Sequence, residues 1–250
     1  MRTLDQEDDA LSLLLDTRPG QSLTQWEHHA HENLLQSSRA CRTSTLRIVR
    51  ECLLDLRDGL IQPSTWLRLF HEGNPLRRRN LLYGRLHAHQ PWILRAVDQL
   101  VLPRLRSVDE PLAPHDADLV TPDAWDAFLA TNLLPKTGIP STKKTRSIVR
   151  QNLANLGILT ISNDMSRQTR VRHSEPDPMA FGWLLAFELT SSARSEAPES
   201  WAIAESIPAR IFATRPAYAT YCVEAAVGAG LLTRGFLAGS SRLHPVPEAL

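Results

Sequence analysis

The chain has 250 residues, 42% of them hydrophobic and 22% charged, enough for one large domain or two small ones with a proper core. Its 28 Lys and Arg nearly balance 27 Asp and Glu, so any affinity for nucleic acid must come from local patches rather than a global field. The three cysteines, Cys41, Cys52 and Cys222, are far apart and outside any CxxC spacing. That pattern argues against a disulfide framework or a zinc site and predicts a reducing, cytoplasmic setting. No apolar run approaches the ~18 residues a membrane span needs.

Residues 1–20 read as a short acidic tail, helical through 11–15 and unlike a signal peptide. The stretch Glu27-His28-His29-Ala30-His31-Glu32 carries three histidines, but on a helix His28 and His31 share a face while His29 points elsewhere. No HExxH pattern is present, so solvated or partly packed histidines are expected and no metal. The next helix is expected over 46–58, with Ile48, Val49, Cys52, Leu53 and Leu56 as its core stripe and Gly59 as its stop. Another starts at 66–70 and is broken by Gly73-Asn74-Pro75.

Arg77, Arg78 and Arg79 then form a compact cluster at a helix start, where the macrodipole disfavours cations. That placement predicts either an anionic partner, such as nucleic acid, or ion pairs with the acids near the N-terminus. A further helix is expected over 92–102. Residues 103–122 hold four prolines among Asp109, Glu110, Asp116 and Asp118, and read as an acidic extended linker. Thr121-Pro122 caps the next helix, with Trp125, Phe128 and Leu129 on its buried face.

Residues 141–176 carry the strongest signal. Ser141 caps a helix whose inner arc is Thr145, Ile148, Val149, Asn152, Leu153 and Leu156. Gly157 supplies the left-handed position that ends it. The opposite face carries Lys143, Ser147, Arg150 and Gln151, with Lys144 and Arg146 at its edges. The period then changes. Residues 158–162 are β-rich, Asn163-Asp164 is turn chemistry, and 168–173 alternate so that Arg170 and Arg172 share one face. With Arg167, these side chains make one helical and one hairpin cationic surface, suited to a duplex groove and its flanking phosphates. Ser147 and Gln151 sit centrally, where base edges would be reached.

Beyond Pro176 and Pro178, residues 179–189 form an almost wholly apolar helix, expected at the centre of a second core. A polar loop over 190–200 and a helix over 201–212 interrupted at Pro208 follow. A helix over 216–227 then leads into Ala229-Gly230-Leu231-Leu232-Thr233, which parallels Leu156-Gly157-Ile158-Leu159-Thr160. This predicts a second, degenerate unit whose helix has Glu224 and no cation, and so packs against protein rather than DNA. No GxSxG, Walker, GxGxxG or HExxH pattern occurs, so no catalytic residue, cofactor or metal is assigned.

The expected fold class is mainly α, a helical N-terminal bundle followed by winged-helix-like α/β-hairpin units. The expected divisions are a helical domain over 1–105, an acidic Pro-rich linker over 106–121 and a winged-helix-like domain over 122–250, with hairpins near 158–173 and 231–244.

The arrangement of motifs resembles the BrxA family of BREX phage-defence systems. The similar stretches are STLRIVRECLLDLRDGL at 44–60, ILRAVDQLVLPRL at 93–105, STKKTRSIVRQNLANLGIL at 141–159 and GLLTRGFLAGSSRLHP at 230–245. Ser141, Lys144, Arg146, Val149, Leu153, Gly157 and Leu159 carry the most specific part. The resemblance implies a helical, non-catalytic cytoplasmic protein that binds double-stranded DNA beside other proteins of a defence locus. Two alternatives stay open: an adaptor whose basic faces dock acidic protein surfaces, and an RNA-binding protein of the kind represented by the antitermination factor NusB.

Overall fold

The computed structural model describes residues 7–34, 39–89, 91–132, 142–162, 168–192, 194 and 196–246. Among these residues helix dominates, with three small antiparallel sheets. The N-terminal half holds α1 (Glu7–Leu15), α2 (Leu23–Asn33), α3 (Arg39–Ile48), a two-residue hairpin of β1 (Leu56–Arg57) and β2 (Leu60–Ile61), α4 (Thr65–Glu72) and α5 (Pro75–His89). The expected helix over 46–58 ends early. A π turn over Val49–Leu53 closes it, with the Leu54 N–H reaching the Val49 carbonyl at 3.1 Å. Asp58 and Gly59 both adopt positive φ, 53° and 74°. An Asp-Gly pair in that conformation is the preferred two-residue hairpin turn, and here it makes a hairpin rather than stopping a helix.

The helix expected over 92–102 runs further than its prolines suggested. It is built of α6 (Trp92–Ala96), a π turn over Val97–Val101 and α7 (Leu102–Val108). Pro103 lacks an N–H and its ring crowds the carbonyl four residues back, and the wider π turn just before it relieves that conflict. Arg104 donates from a terminal nitrogen to the Leu100 carbonyl at 2.8 Å and from Nε to the Leu119 carbonyl at 2.9 Å. That second bond fastens α7 to the stretch read as a linker. The stretch 106–121, read as a spacer, contributes to two elements. Its first residues belong to α7, and its last form β3 (Leu119–Val120), which pairs with the second strand of the hairpin downstream.

From here the chain builds a similar order twice, with one more helix the second time. In the first unit α7 and β3 are followed by α8 (Pro122–Asn132), α9 (Thr142–Asn155), β4 (Leu159–Ile161) and β5 (Thr169–Val171), giving the sheet order β3-β5-β4. In the second, α10 (Pro178–Ser191) and β6 (Ala197–Pro198) are followed by α11 (Glu199–Ala204), α12 (Ile207–Ile211), α13 (Pro216–Gly228), β7 (Leu232–Leu237) and β8 (Ser240–Pro245), giving β6-β8-β7. The two units share their helix-to-strand joint. Gly157 (φ 79°) and Gly230 (φ 73°) sit in the left-handed region. In each joint the residue after the glycine bonds back five positions, Ile158 to Leu153 at 3.2 Å and Leu231 to Ala226 at 3.0 Å. This double cap closes the helix and turns the chain straight into a strand.

One continuous core joins the two halves. Helix α10 is apolar nearly all round and packs against α5, α12, α13 and β8. Two glycines set its close approaches. A Cβ on Gly84 would lie 1.9 Å from a Leu184 methyl, and one on Gly182 would lie 2.4 Å from the Ala226 Cβ. Asp177 caps α10, accepting from the backbone N–H groups of Met179 and Ala180, and also takes the Arg77 Nε at 2.9 Å.

A second buried carboxylate ties α1 to α5 and α9. Glu7 accepts from Arg79 Nε at 2.5 Å, from the Tyr83 hydroxyl at 2.7 Å and from the Asn155 amide. Burial first, and then the neighbouring carboxylate, push the Tyr83 phenol well above its ordinary value, so it stays a donor.

Two stability predictions follow from this packing. Gly182→Ala should destabilise the fold by about 1–3 kcal/mol through overpacking, read as a lower denaturation midpoint. Glu7→Ala should cost about 1–3 kcal/mol by leaving the buried Tyr83 hydroxyl without its carboxylate. Unchanged urea midpoints would contradict both.

Candidate nucleic-acid interface

Helix α9 divides its faces much as the 3.6 period requires. Val149, Asn152 and Leu153 are buried, while Lys143, Ser147 and Gln151 are exposed at four-residue steps. Gln151 donates along the same face to Asn155 at 2.8 Å. The α9–β4 joint then sends the chain into a sheet whose register pairs Thr160 with Arg170 and Ile161 with Thr169. Thr169 and Val171 point inward, and Arg170 between them points out. Arg172, just past the strand, is exposed and donates from Nε to the Gly157 carbonyl at 2.7 Å. Its guanidinium is thereby held at the C-terminal end of α9, where a cation also meets the negative end of the helix dipole.

The cationic surface is smaller than the sequence implied, because the chain neutralises part of it. Arg170 pairs with Asp118 at 2.5 Å, and Arg146 pairs with Asp126 of α8 at 3.2 Å. Both acids come from segments the basic stretch folds against, and neither was linked to it in the sequence. Arg150 is half-buried. Arg167, Ser141 and the Asn163-Asp164 turn lie outside the described residues, as does the side chain of Lys144.

The cluster Arg77, Arg78 and Arg79, read as a nucleic-acid contact or as an ion-pairing group, has partners within the protein. Arg77 goes to Asp177, Arg79 to Glu7, and Arg78 donates to the carbonyls of Phe70 and His71 at 3.1 and 3.0 Å. The ion pair to the N-terminal acid, weighed beside the nucleic-acid reading, is the one realised. Cations at a helix start are tolerated here because each has a fixed acceptor.

A cleft of ≈ 440 Å³ separates α9 from the edge of its sheet and is lined by residues of β3, α8, α9 and β5, including Arg146 and Arg150. A larger cavity of ≈ 1050 Å³ lies elsewhere, between α5 and α7 on one side and α10, α11 and α12 on the other. Phe187, Trp201 and Leu184 are among its apolar walls, and His87, Glu188 and the Asp98–Arg210 ion pair are among its polar groups. Burial pushes the Glu188 carboxyl up to about 7, against the pull of the Ile207 N–H it accepts at 2.7 Å. Burial, with help from Arg210, lowers His87 to about 4. Among the described residues, no group of three His, Cys, Asp or Glu could hold a metal ion, and no helix is long and apolar enough to cross a membrane.

These two groups pull stability in opposite directions with pH. The native state holds the Glu188 proton between about 4.5 and 7 while the unfolded chain has lost it. Its contribution is therefore present at low pH and is lost as pH rises through 7. Neutral His87 works the other way, contributing above pH 6.5 and losing that contribution as pH falls towards 4. Glu188→Gln should raise the melting temperature at pH 8 and expose a stability that climbs with pH between 4 and 6.5. One kcal/mol corresponds to about 2–4 °C in a chain of this size. A variant with the wild-type pH profile would contradict the burial of Glu188.

No protein-family model and no curated protein matches the chain. Two solved structures do. A crystal structure of SspB superposes with a TM-score of 0.54 at 13% identity, covering 95% of this chain and 80% of that one. A magnesium-ion-bound SspB structure superposes with a TM-score of 0.48 at 15% identity, covering 93% and 85%. The first likeness shows a shared fold over nearly the whole chain.

Proposed function

We propose that the chain binds double-stranded DNA through α9 and the β4–β5 hairpin, as a non-catalytic, cytoplasmic component of a BREX-type phage-defence system. The observation that carries the DNA reading is the exposed row Lys143, Ser147 and Gln151 on α9, beside exposed Arg172 at the foot of the hairpin. The order of the first unit, helix, strand, two helices and a hairpin whose last strand pairs with the outer strand, supports reading it as a winged helix. In that arrangement the last helix before the hairpin enters the major groove while flanking groups hold phosphates. The second unit is the partner-facing or packing copy in this reading. The outward positions of α13 include Tyr221 and Glu224, and Glu224 is itself taken up by Arg234 at 2.7 Å. The defence setting rests on the resemblance of the motifs at 44–60, 93–105, 141–159 and 230–245 to the BrxA family.

The adaptor reading has one observation of its own. Arg146 and Arg170 already hold carboxylates of the same chain, so this face is chemically able to hold those of another protein. Salt separates the two classes. Duplex affinity measured by fluorescence anisotropy at several salt concentrations should fall steeply and be largely insensitive to sequence.

Replacing Lys143 and Arg172 together by alanine should weaken binding to unrelated duplexes alike. It should also flatten the plot of log affinity against log salt by roughly one unit per lost phosphate contact. Ser147→Ala and Gln151→Ala should change affinity little if binding is non-specific. A folded Lys143→Ala/Arg172→Ala chain with wild-type affinity and slope would leave the adaptor reading standing.

A further inference from the structure

The cleft beside α9 has a lining that favours one kind of ligand. Its polar side chains are Thr121, Trp125, Arg146, Arg150, Gln168 and Thr169, and among the described residues no carboxylate lines it. Two guanidiniums a turn apart on α9, two hydroxyls, a carboxamide and an indole therefore surround one concave space. The Trp125 side chain is 2% exposed, and its indole N–H has no hydrogen-bond partner among the described residues. A buried donor left in that state is uncommon and calls for an explanation. Two acids flank the cleft: Asp126 takes Arg146 from the exposed side of α8, and Asp118, just before the lining residue Leu119, takes Arg170.

The second unit shows what the same place looks like when it is filled from within. Counted back from the two cap glycines, Arg146 and Arg150 of α9 correspond to Ala219 and Val223 of α13, both fully buried. There the helix seats directly on its neighbours. Where the first unit has Thr121-Pro122 after its outer strand, the second has Glu199 after β6. The Glu199 carboxylate is mostly buried, accepts from Arg234 at 2.8 Å and takes the Ser241 hydroxyl. The second unit thus supplies its own anion at the junction of outer strand, helix start and sheet. The first unit keeps the cations, and among the described residues no carboxylate lines that junction.

We infer that this cleft is a seat for a phosphodiester of the nucleic-acid backbone, held by Arg146 and Arg150 with the Trp125 indole beneath it. The inference rests on the DNA reading above and adds to it the place where a phosphate docks. Arg150 then acts as a phosphate clamp at the rim of the exposed face, while Lys143, Ser147 and Gln151 face the groove. In the unliganded chain Asp126 competes for Arg146, so binding exchanges one anion for another and the Arg146–Asp126 contact loosens.

The test uses the full chain labelled with ¹⁵N, titrated at constant ionic strength with inorganic phosphate and, separately, with a short duplex. The Trp125 indole N–H and Arg150 Nε resonances should move with both, and duplex should displace phosphate. Arg146→Gln/Arg150→Gln should abolish the phosphate response, weaken duplex binding roughly tenfold and flatten its salt slope by roughly one to two units. Trp125→Phe, which keeps both charges and the aromatic body, should weaken phosphate by a smaller factor with its melting temperature close to wild type. Shifts confined to other resonances, or a phosphate response that survives in the double variant, would mark an adventitious ion only and overturn the seat. A folded double variant with wild-type duplex affinity and slope would remove the seat and keep the DNA reading. A wild-type chain that holds phosphate in the cleft but no duplex would remove the DNA reading and keep the anion site.

Discussion

One buried carboxylate holds three distant parts of the chain in place. Glu7 belongs to the first described helix, yet its partners are Arg79 and Tyr83 on α5 and Asn155 at the end of α9. A carboxylate buried to this extent is stable only with compensating donors, and removing any of them leaves the others exposed to the full desolvation cost. The arrangement fixes the C-terminal end of α9, the helix whose outer face is the candidate interface. Asp177 does the same for α10, capping it while holding Arg77 of α5. The two acids make α5 the shared brace of the fold, and two of its three successive arginines are spent on them.

This explains which features the sequence revealed. The hairpins were legible because the apolar period changes abruptly after Gly157 and Gly230, and a left-handed glycine is a strong local signal. The inner arc of α9 was legible for a similar reason. The arginine cluster was not. Its partners Glu7 and Asp177 are far away in sequence, and nothing local tells an internal ion pair from a phosphate contact. Leu119–Val120 was hidden in proline-rich, acidic surroundings, because a two-residue strand has no periodicity and exists only through pairing with β5. The hairpin at Asp58-Gly59 was read as a helix stop because both uses need the same positive φ. The cleft beside α9 escaped notice since Trp125, Arg146 and Arg150 lie on two elements, and only their packing brings them together.

The duplication is more than a resemblance of element order. Both units use the same glycine joint and place an outer strand against the last strand of the hairpin. They differ in what they do with the helix positions next to that sheet. The second unit fills them with Ala219 and Val223 and neutralises Arg234 with Glu199 and Glu224. The first places arginines there. One backbone arrangement thus serves as internal packing in one copy and as an open polar surface in the other, with the difference carried by a handful of side chains.

The bond between Glu7 and Asn155 spans 148 residues of chain. During synthesis the first helix emerges long before the residue that completes its polar cluster has been made. Until then Glu7 remains a solvated acid on a short helix that is marginal alone. Closing a contact over that distance carries a loop-closure cost, so this polar cluster is completed only after Asn155 has been made.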